Sequence, residues 1–323
     1  MKNYLYQHNE VFGYKYLPNL SIQHPGREGL YTIETNSQGF RYHKDFSINK
    51  DPDKKRILLF GDSFTAADSI SNGYRYSDLV EQQFENLEVF NFAIPGIGTD
   101  QQYLIYQEEC LRKKMDYDFI IIAVLIENIK RVNAQYRVYL NEDKKEEVYK
   151  KPYFSMRNNE LILNNVPLSQ EPVKLTNFNS KDKAYGGTPK GFRNYIPDWL
   201  KDLIFFFGLY QPIKDYNQNT KKEWKLLSKI LSDWVHSSKK PIMIMPIPLH
   251  HYYEGNVKPI YLERFKEVAS ETNSIMINPL PYFRDRTKEE IKKIRLKNDT
   301  HPSKYGHKLL SEVIISQLKL LNL

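Results

Sequence analysis

Residues 56–64 read RILLFGDSF, and this stretch decides the fold class. Its first five residues form a short apolar run without alternation, which is typical of a strand buried on both faces of a parallel sheet. Gly61 follows at once and leaves room for a sharp turn, so Ser63 comes near the start of the next helix. Ser63 is therefore a candidate nucleophile, although a serine hydroxyl reacts only when a base accepts its proton.

The same pattern of apolar run and helix recurs along the chain. Further continuous apolar runs occur at residues 88–92, 118–125, 241–247 and 274–278. Helical patterns occur at residues 74–85, 99–115, 223–236, 260–271 and 303–320. In the second of these, Leu104, Leu111 and Met115 recur at spacings of seven and four, which places them on one helix face. The alternation predicts an open α/β fold with a parallel sheet and right-handed crossovers.

Two segments interrupt this order. Residues 1–54 hold short β-like pieces, and we interpret them as an N-terminal flap that packs on a core domain at residues 55–323. Residues 133–222 form a long insertion after the third strand, which we expect to fold over the catalytic edge of the sheet. Within it we predict a hairpin that turns at Asn164-Asn165. We also predict an aromatic helix at residues 199–210, which we expect to pack on the core or in a dimer.

The chain carries a formal net charge of +8, and the insertion holds more than half of it, with 15 Lys/Arg and 10 Asp/Glu residues. This excess is either a solvated surface or faces an anionic substrate, a nucleotide-linked sugar or a membrane surface. The sequence contains none of the spacings that are typical of a nucleic-acid-binding module. We therefore expect no nucleic-acid partner, and the oligomeric state stays open.

Targeting and redox features are sparse. No apolar stretch follows the N-terminal residues, and no run approaches 18 apolar residues, so we expect no secretory signal, no membrane span and a cytoplasmic location. Peripheral contact with a membrane stays open. Cys110 is the single cysteine, which excludes an intrachain disulfide and a cysteine-based zinc site.

Polar and glycine residues follow the other strands where a ligand would bind, beyond the carboxyl ends of the sheet. Gly96 follows the second strand and could present a backbone N–H to an oxyanion, while Asn128 follows the third and could add an amide donor. Near the C-terminus, Asp299 precedes His301 by two residues and could orient it as a base. Each feature taken alone also fits an ordinary turn or helix entry.

Taken together, these residues resemble the SGNH/GDSL hydrolase superfamily, whose four name-giving residues match Ser63, Gly96, Asn128 and His301. Residues 35–41, TNSQGFR, resemble a stretch that precedes the first strand in a subgroup associated with glycan assembly. The resemblance implies a flavodoxin-like three-layer α/β/α sandwich with a five-stranded parallel sheet. It also implies ester hydrolysis or acyl transfer through Ser63, with no metal or other cofactor.

The sequence departs from the superfamily pattern in two places. The third block usually reads Gly-x-Asn-Asp, but only Asn128 of this set is present here. The superfamily Asp commonly lies three residues before the His, where this chain has Asn298, and only some branches use the Asp-x-His arrangement of Asp299 and His301. A Ser–His dyad oriented by a backbone carbonyl is therefore the alternative to a triad.

A polar cluster follows the fourth long apolar run. His250, His251 and Tyr252 lie at the edge of the sheet where ligands bind, and with Asp62 they are candidate substrate-lining residues. Ordinary loop packing is the alternative. The adjacent histidines have no evident third ligand, so we expect no metal there.

Three functions fit these observations. The first is a serine esterase that removes an acyl group, with a small-molecule ester or an ester of a carbohydrate or glycan precursor as substrate. The second is an O-acyltransferase that uses the same Ser–His machinery on a glycan or glycolipid. The third is a catalytically silent binding module, which the presence of both Ser63 and His301 disfavours.

Overall fold

The computed structural model describes residues 4–140, 145–173, 184–186 and 211–322. The aromatic helix predicted at residues 199–210 lies outside the described residues. The described strands, β1 to β14 in chain order, are Tyr6–Asn9, Gly13–Tyr16, Ser21–Gly26, Gly29–Glu34, Lys55–Phe60, Leu87–Asn91, Phe119–Leu125, Tyr136–Leu140, Glu146–Lys150, Tyr153–Arg157, Glu160–Asn164, Ala184–Gly186, Ile242–Ile247 and Ile275–Met276.

The described α-helices, α1 to α10, are Ser63–Ala66, Tyr76–Gln83, Thr99–Ile105, Asn128–Val132, Lys222–Ser237, His251–Glu254, Ile260–Thr272, Leu280–Arg284, Lys288–Lys293 and Lys304–Leu320. A π-helical turn, Tyr106–Leu111, continues α3, and a 3₁₀ turn, Lys214–Tyr216, precedes α5. The helices predicted from the apolar patterns agree with α2, α3 with its π turn, α5, α7 and α10 to within a few residues.

The central sheet has five parallel strands in the order β6-β5-β7-β13-β14. Numbered along the chain these strands run 2-1-3-4-5, which is the flavodoxin-like order. The five strands are those predicted from the apolar runs, so the predicted fold class is confirmed. Because the chain steps from β5 to β6 in one direction and then crosses back to β7, right-handed crossovers place helices on both faces of the sheet.

Helix packing follows this division. Helix α2 packs on α10, whereas α5 packs on α3, α4 and α7. Every residue of β13 and all but the first of β7 are buried, which is why their sequences are continuously apolar. Trp234 of α5 is fully buried and lies 5.1 Å from Phe60 between ring centroids, so this helix is tied to the centre of the sheet.

The flap contains two antiparallel hairpins, β1-β2 and β3-β4. After them, Phe40 and Phe46 are buried against Phe90 and Phe92, next to the edge strand of the central sheet. Gln101 of α3 donates to the carbonyl oxygen of Phe12 at 2.9 Å, which ties the first hairpin to the core.

The described part of the insertion contains a three-stranded sheet, β12-β8-β9, and the hairpin β10-β11. The predicted hairpin turn at Asn164-Asn165 is wrong, because the chain turns at Asn158-Asn159, whose φ angles are 50° and 63°. Asparagine tolerates such left-handed backbone, which two-residue turns require. After Asn165, Pro167 lacks the N–H that a following strand would need.

The insertion is anchored on both the core and the flap. Lys151 is buried and forms an ion pair with buried Asp100 of α3. The Leu168 N–H donates to the carbonyl oxygen of Glu10 at 2.8 Å. These contacts place described parts of the insertion and the flap beside each other at the edge of the sheet. The division into flap, core and insertion stays a prediction.

Candidate active site

Ser63 is the first residue of α1 and comes three residues after the end of β5. The turn between them requires glycine, because a Cβ at Gly61 would lie only 2.0 Å from Thr65 Oγ1. Asp62 caps the helix by accepting a hydrogen bond from the Phe64 N–H at 3.0 Å. The local sequence therefore holds the serine at the carboxyl end of the strand.

His301 lies against Ser63 although 238 residues separate them in the chain. His301 Nε2 is 2.8 Å from Ser63 Oγ, and His301 Nδ1 is 2.6 Å from Asp299 Oδ1. The same carboxylate oxygen accepts the His301 backbone N–H at 3.0 Å. The structure thus brings the three predicted residues into the geometry of a Ser–His–Asp triad.

The two-residue spacing between Asp299 and His301 works because a tight turn folds the carboxylate back onto the ring. Asn298 has a φ of 57°, and the Leu296 N–H donates to the His301 carbonyl at 2.9 Å, which closes the turn. The second oxygen, Asp299 Oδ2, accepts a hydrogen bond from Arg27 Nε at 2.7 Å. A residue of the flap therefore contacts the triad carboxylate.

Electrostatics favour a charged His301. Burial lowers the pKa of its imidazole, but the hydrogen bond to Asp299 and the negative charges of Asp68, Asp299 and Asp62 outweigh burial and raise the pKa above its ordinary value. The hydrogen bond with His301 in turn lowers the pKa of Asp299 well below its usual range. The site is therefore suited to stabilise the imidazolium that forms when the serine loses its proton.

Asp62 does not line the site, contrary to the prediction. Its carboxylate is fully buried and accepts a hydrogen bond from Arg131 Nη1 at 2.8 Å. The same Arg131 nitrogen also donates to the carbonyl oxygen of Ile97 at 3.0 Å. The carboxylate already accepts hydrogen bonds from the Phe64 N–H and from Arg131. It therefore ties the turn before Ser63 to α4 and does not face a substrate.

Arg41, at the end of the motif at residues 35–41, holds the segment that follows the nucleophile. Its buried guanidinium donates to the carbonyl oxygens of Ala66 at 2.6 Å and Ile70 at 2.8 Å and to Asn72 Oδ1 at 2.7 Å. The segment contains left-handed backbone at Ala67, with a φ of 66°. The arginine supplies the hydrogen bonds that a regular helix would otherwise make.

Gly96 lines the candidate site and requires glycine for two reasons. Its φ is +80°, and a Cβ there would lie 2.8 Å from Tyr14 Oη and 3.0 Å from Arg137 Nη2. Tyr14 of the flap donates to the carbonyl oxygen of Pro95 at 2.5 Å, which braces this loop. The flap therefore braces this loop, and Arg137 of the insertion lies beside it.

Asn128 begins α4, one turn before Arg131, and is fully buried. Neither its amide nitrogen nor its amide oxygen has a hydrogen-bond partner among the described residues. The neighbouring Leu125 and Glu127 line the cavity at the site, whereas Asn128 does not. An unpaired buried amide is unusual and is available to a ligand only if that ligand reaches behind the cavity wall.

A cavity of about 650 Å³ opens above Ser63 and His301, between the flap, the core and the insertion. Its size is in the range of small-molecule sites. Five tyrosines contribute to its wall: Tyr6, Tyr14, Tyr139, Tyr149 and Tyr185. Charged groups contribute as well: Asp68, Glu127, Arg131, Arg137, Lys150 and Lys151. The wall therefore combines flat aromatic faces with many hydrogen-bonding groups.

The predicted substrate-lining role of His250, His251 and Tyr252 is not supported. They are absent from the described cavity wall. Tyr252 is buried and packs on Tyr261, with 4.9 Å between ring centroids. The rings of His250 and His251 lie 3.9 Å apart, and burial lowers the pKa of His250. Tyr252 therefore belongs to the hydrophobic core, and neither histidine lines the described cavity.

Sequence reasoning missed several residues that shape the site: Arg27, Arg41, Asp68, Arg131 and Arg137. Arg41 lay inside a recognised motif, so its role could have been sought there. Arg131 follows Asn128 by three residues on the same short helix, a spacing that brings side chains together. The roles of Arg27, Asp68 and Arg137 depend on contacts between distant segments, and no local pattern indicates them.

The described residues contain no group of three or more His, Cys, Asp or Glu side chains placed to hold a metal ion. Among the helices that the structure describes, none has the length and apolarity needed to cross a membrane.

Neither a protein-family model nor a curated protein matches the sequence. Solved structures with a similar fold include a lipolytic G-D-S-L family protein from Veillonella parvula DSM 2008, with 14% identity, coverage of 81% of this chain and 97% of that chain, and a TM-score of 0.43. A lipase/acylhydrolase from Enterococcus faecalis has 14% identity, coverage of 82% and 95%, and a TM-score of 0.44. The acetylxylan esterase Axe2 from Geobacillus stearothermophilus has 16% identity, coverage of 81% and 93%, and a TM-score of 0.43.

Proposed function

We propose that this protein is a serine esterase that cleaves an ester through Ser63 and that its substrate is an acylated carbohydrate. The observation that carries the proposal is the continuous chain of contacts from Ser63 Oγ to His301 Nε2, at 2.8 Å, and from His301 Nδ1 to Asp299, at 2.6 Å. This arrangement supplies a nucleophile, a base and a group that fixes the tautomer of the base.

The reaction follows from these positions. Ser63 Oγ attacks the ester carbonyl carbon while His301 Nε2 accepts the hydroxyl proton, and the imidazolium is stabilised by Asp299. His301 then gives the proton to the leaving alcohol, which leaves an acyl group on Ser63. Water, deprotonated by His301, releases the acid and restores the serine.

Backbone N–H groups at Ser63 and Gly96 are the candidate donors to the oxyanion. Gly96 lines the cavity beside Ser63, and its left-handed φ turns the peptide in a way that other residues disfavour. Asn128 would complete the set by donating to the oxyanion from its amide nitrogen, which has no partner among the described residues. This last role stays a prediction.

The cavity wall supports a carbohydrate as the substrate. Tyrosine offers an aromatic face on which the C–H face of a sugar ring can stack and a hydroxyl that can bond to sugar oxygens. Five tyrosines line the cavity that contains Ser63, although the Tyr14 hydroxyl donates to Pro95 and the Tyr149 hydroxyl donates to Glu147. The resemblance of residues 35–41 to a subgroup associated with glycan assembly agrees with a carbohydrate substrate.

The test compares the wild type with Ser63→Ala and, as a matched control, Ser270→Ala, a change at an exposed position on α7. We expect Ser63→Ala to lower hydrolysis of 4-nitrophenyl acetate and of an O-acetylated oligosaccharide by at least about 10³-fold, and Ser270→Ala to have no effect. A fluorophosphonate should label Ser63, as located by mass spectrometry of peptides. Undiminished hydrolysis by Ser63→Ala would exclude the proposal.

The acyl-enzyme reacts with whichever hydroxyl reaches it, so the assay also includes an unacylated oligosaccharide as acceptor. The ratio of acyl transfer to hydrolysis then separates an esterase from an O-acyltransferase. We expect hydrolysis to dominate.

A further inference from the structure

Arg137 is the feature of the cavity that the triad chemistry does not use. It lies on β8 of the insertion and contributes to the cavity wall beside Gly96, where its Nη2 would be 3.0 Å from a Cβ at that position. Its Nε and Nη1 are buried and have no hydrogen-bond partner among the described residues. Buried guanidinium N–H groups without acceptors lower the stability of the fold unless a ligand accepts their hydrogen bonds.

The other buried cations of the cavity wall are already neutralised. Arg131 is paired with Asp62 at 2.8 Å, and Lys151 is paired with Asp100. Among the carboxylates of the described wall, Glu127 accepts a hydrogen bond from Lys130 at 3.2 Å, and none of the ion pairs among the described residues involves Arg137. Arg137 therefore carries a positive charge that no carboxylate of the described residues neutralises.

Two aromatic rings hold the guanidinium in place. The Arg137 guanidinium carbon lies 5.4 Å from the centroid of the Tyr139 ring and 5.0 Å from that of Tyr185. Such contacts with aromatic rings stabilise the cation, and its Nε and Nη1 groups stay without a partner among the described residues. Those N–H groups form a rigid fork that matches the two oxygens of a carboxylate or a phosphate.

We propose that Arg137, between Tyr139 and Tyr185, forms an anion subsite that selects acylated sugars bearing a carboxylate or a phosphate group. The proposal rests on the proposed function, which it narrows to a substrate class. The anionic group would bind on the Gly96 side of the reaction centre, with the ester carbonyl over Ser63. The insertion would thereby supply specificity, while the core supplies the reaction.

The first experiment compares hydrolysis of acetyl esters of glucuronic acid, glucose 6-phosphate and glucose, so that the carboxylate and the phosphate are each tested against the parent neutral sugar. We expect kcat/KM to favour at least one anionic ester over the glucose ester. Arg137→Gln should reduce that preference by about 10- to 100-fold, as is typical for loss of hydrogen bonds to a charged group. Arg137→Lys should recover part of it.

The matched control is Arg157→Gln, because Arg157 is an exposed arginine on the β10-β11 hairpin of the same insertion. It should leave the ratio of anionic to neutral activity unchanged. An equal loss on all three esters in Arg137→Gln would show that Arg137 serves the common reaction centre and would overturn the anion subsite. An unchanged ratio would overturn it as well.

A binding measurement separates this proposal from the esterase proposal. Isothermal titration calorimetry of Ser63→Ala, with and without Arg137→Gln, measures the affinity for glucuronic acid, glucose 6-phosphate and glucose without any turnover. We expect an anionic sugar to bind more tightly than glucose only when Arg137 is present. Equal affinities for the three sugars would exclude the subsite, whereas anion-selective binding without hydrolysis would exclude only the esterase.

Discussion

At the scale of single residues, His301 controls the proposed reaction, because it must be neutral to accept the Ser63 proton and charged to release the alcohol. Asp299 faces its Nδ1, and the charges of Asp68 and Asp62 also act on it. These carboxylates raise the pKa of His301. The acidic limb of the pH–rate profile should therefore lie above the pH expected for an ordinary histidine.

Asp299→Asn should separate the triad from the dyad. The amide cannot accept the Nδ1 proton in the same way and favours the wrong tautomer, so we expect kcat to fall by about 10³- to 10⁴-fold while the fold is retained. Circular dichroism and a steady-state ester assay check both parts. The matched control is Asp285→Asn at an exposed position. A rate near that of the wild type would mean that a Ser–His dyad suffices.

Asp68→Asn should change the pH profile without removing the triad. Because the Asp68 carboxylate stabilises the His301 imidazolium, the amide should lower the pKa of His301 and move the acidic limb of kcat/KM to lower pH. The exposed Asp53→Asn serves as the control. If the limb stays in place or moves to higher pH, Asp68 does not act on His301 as described.

At the scale of elements, the triad depends on segments that lie far apart in the sequence. The flap contributes Arg27 to Asp299 and Arg41 to the segment after the nucleophile. Helix α4 contributes Arg131 to Asp62. Because each arginine adds hydrogen bonds to a segment that carries a triad residue or follows it, the flap and α4 stabilise the geometry of the site.

Arg41→Met should show how much the flap contributes to the nucleophile segment. The change leaves several buried carbonyl oxygens without donors, and each unsatisfied group costs about 1–3 kcal/mol. We expect the free energy of unfolding to fall by about 3 kcal/mol or more, as measured by urea titration. Arg112→Met, at a side chain that is 73% exposed, is the control and should change it by less than about 0.5 kcal/mol. Equal stability of Arg41→Met and the control would contradict this role.

At the scale of the whole molecule, one buried histidine links stability to pH. His307 of α10 is fully buried, its ring stacks on Tyr76 of α2, and its Nδ1 accepts the Tyr76 backbone N–H at 3.3 Å. Burial lowers its pKa to about 3. In the unfolded chain the pKa is near its ordinary value of about 6.5, so acid protonates the unfolded chain first.

The stability contributed by neutral His307 is fully present above about pH 6.5 and is lost progressively as the pH falls from there toward the folded-state pKa. We expect this residue to account for about 1.4 kcal/mol of destabilisation per pH unit between pH 6 and pH 4. Urea unfolding across this range should show a shallower pH dependence for His307→Phe than for the wild type. The exposed His43→Phe is the control. Identical slopes for His307→Phe and the wild type would show that His307 is not the linked group.

The sequence by itself determined the sheet and predicted the three residues that meet at its edge. The five strands were predictable because each is a continuous apolar run. A strand that is buried on both faces needs apolar side chains at successive positions, so its sequence does not alternate. Ser63 was predictable because it follows such a strand through a glycine turn. Asp299 and His301 were predictable because a carboxylate two residues before a histidine can fold back onto the imidazole in one turn.

Only the tertiary structure decided which other side chains meet this edge. Asp62 stands next to the nucleophile in the sequence but is turned inward onto Arg131, and Tyr252 follows a core strand but is buried against Tyr261. Arg137 of the insertion lies beside Gly96, and no local sequence pattern predicts contact between these two distant residues. Strands arise from the chain's own periodicity, whereas these contacts arise from how the flap, core and insertion pack, which depends on the whole fold.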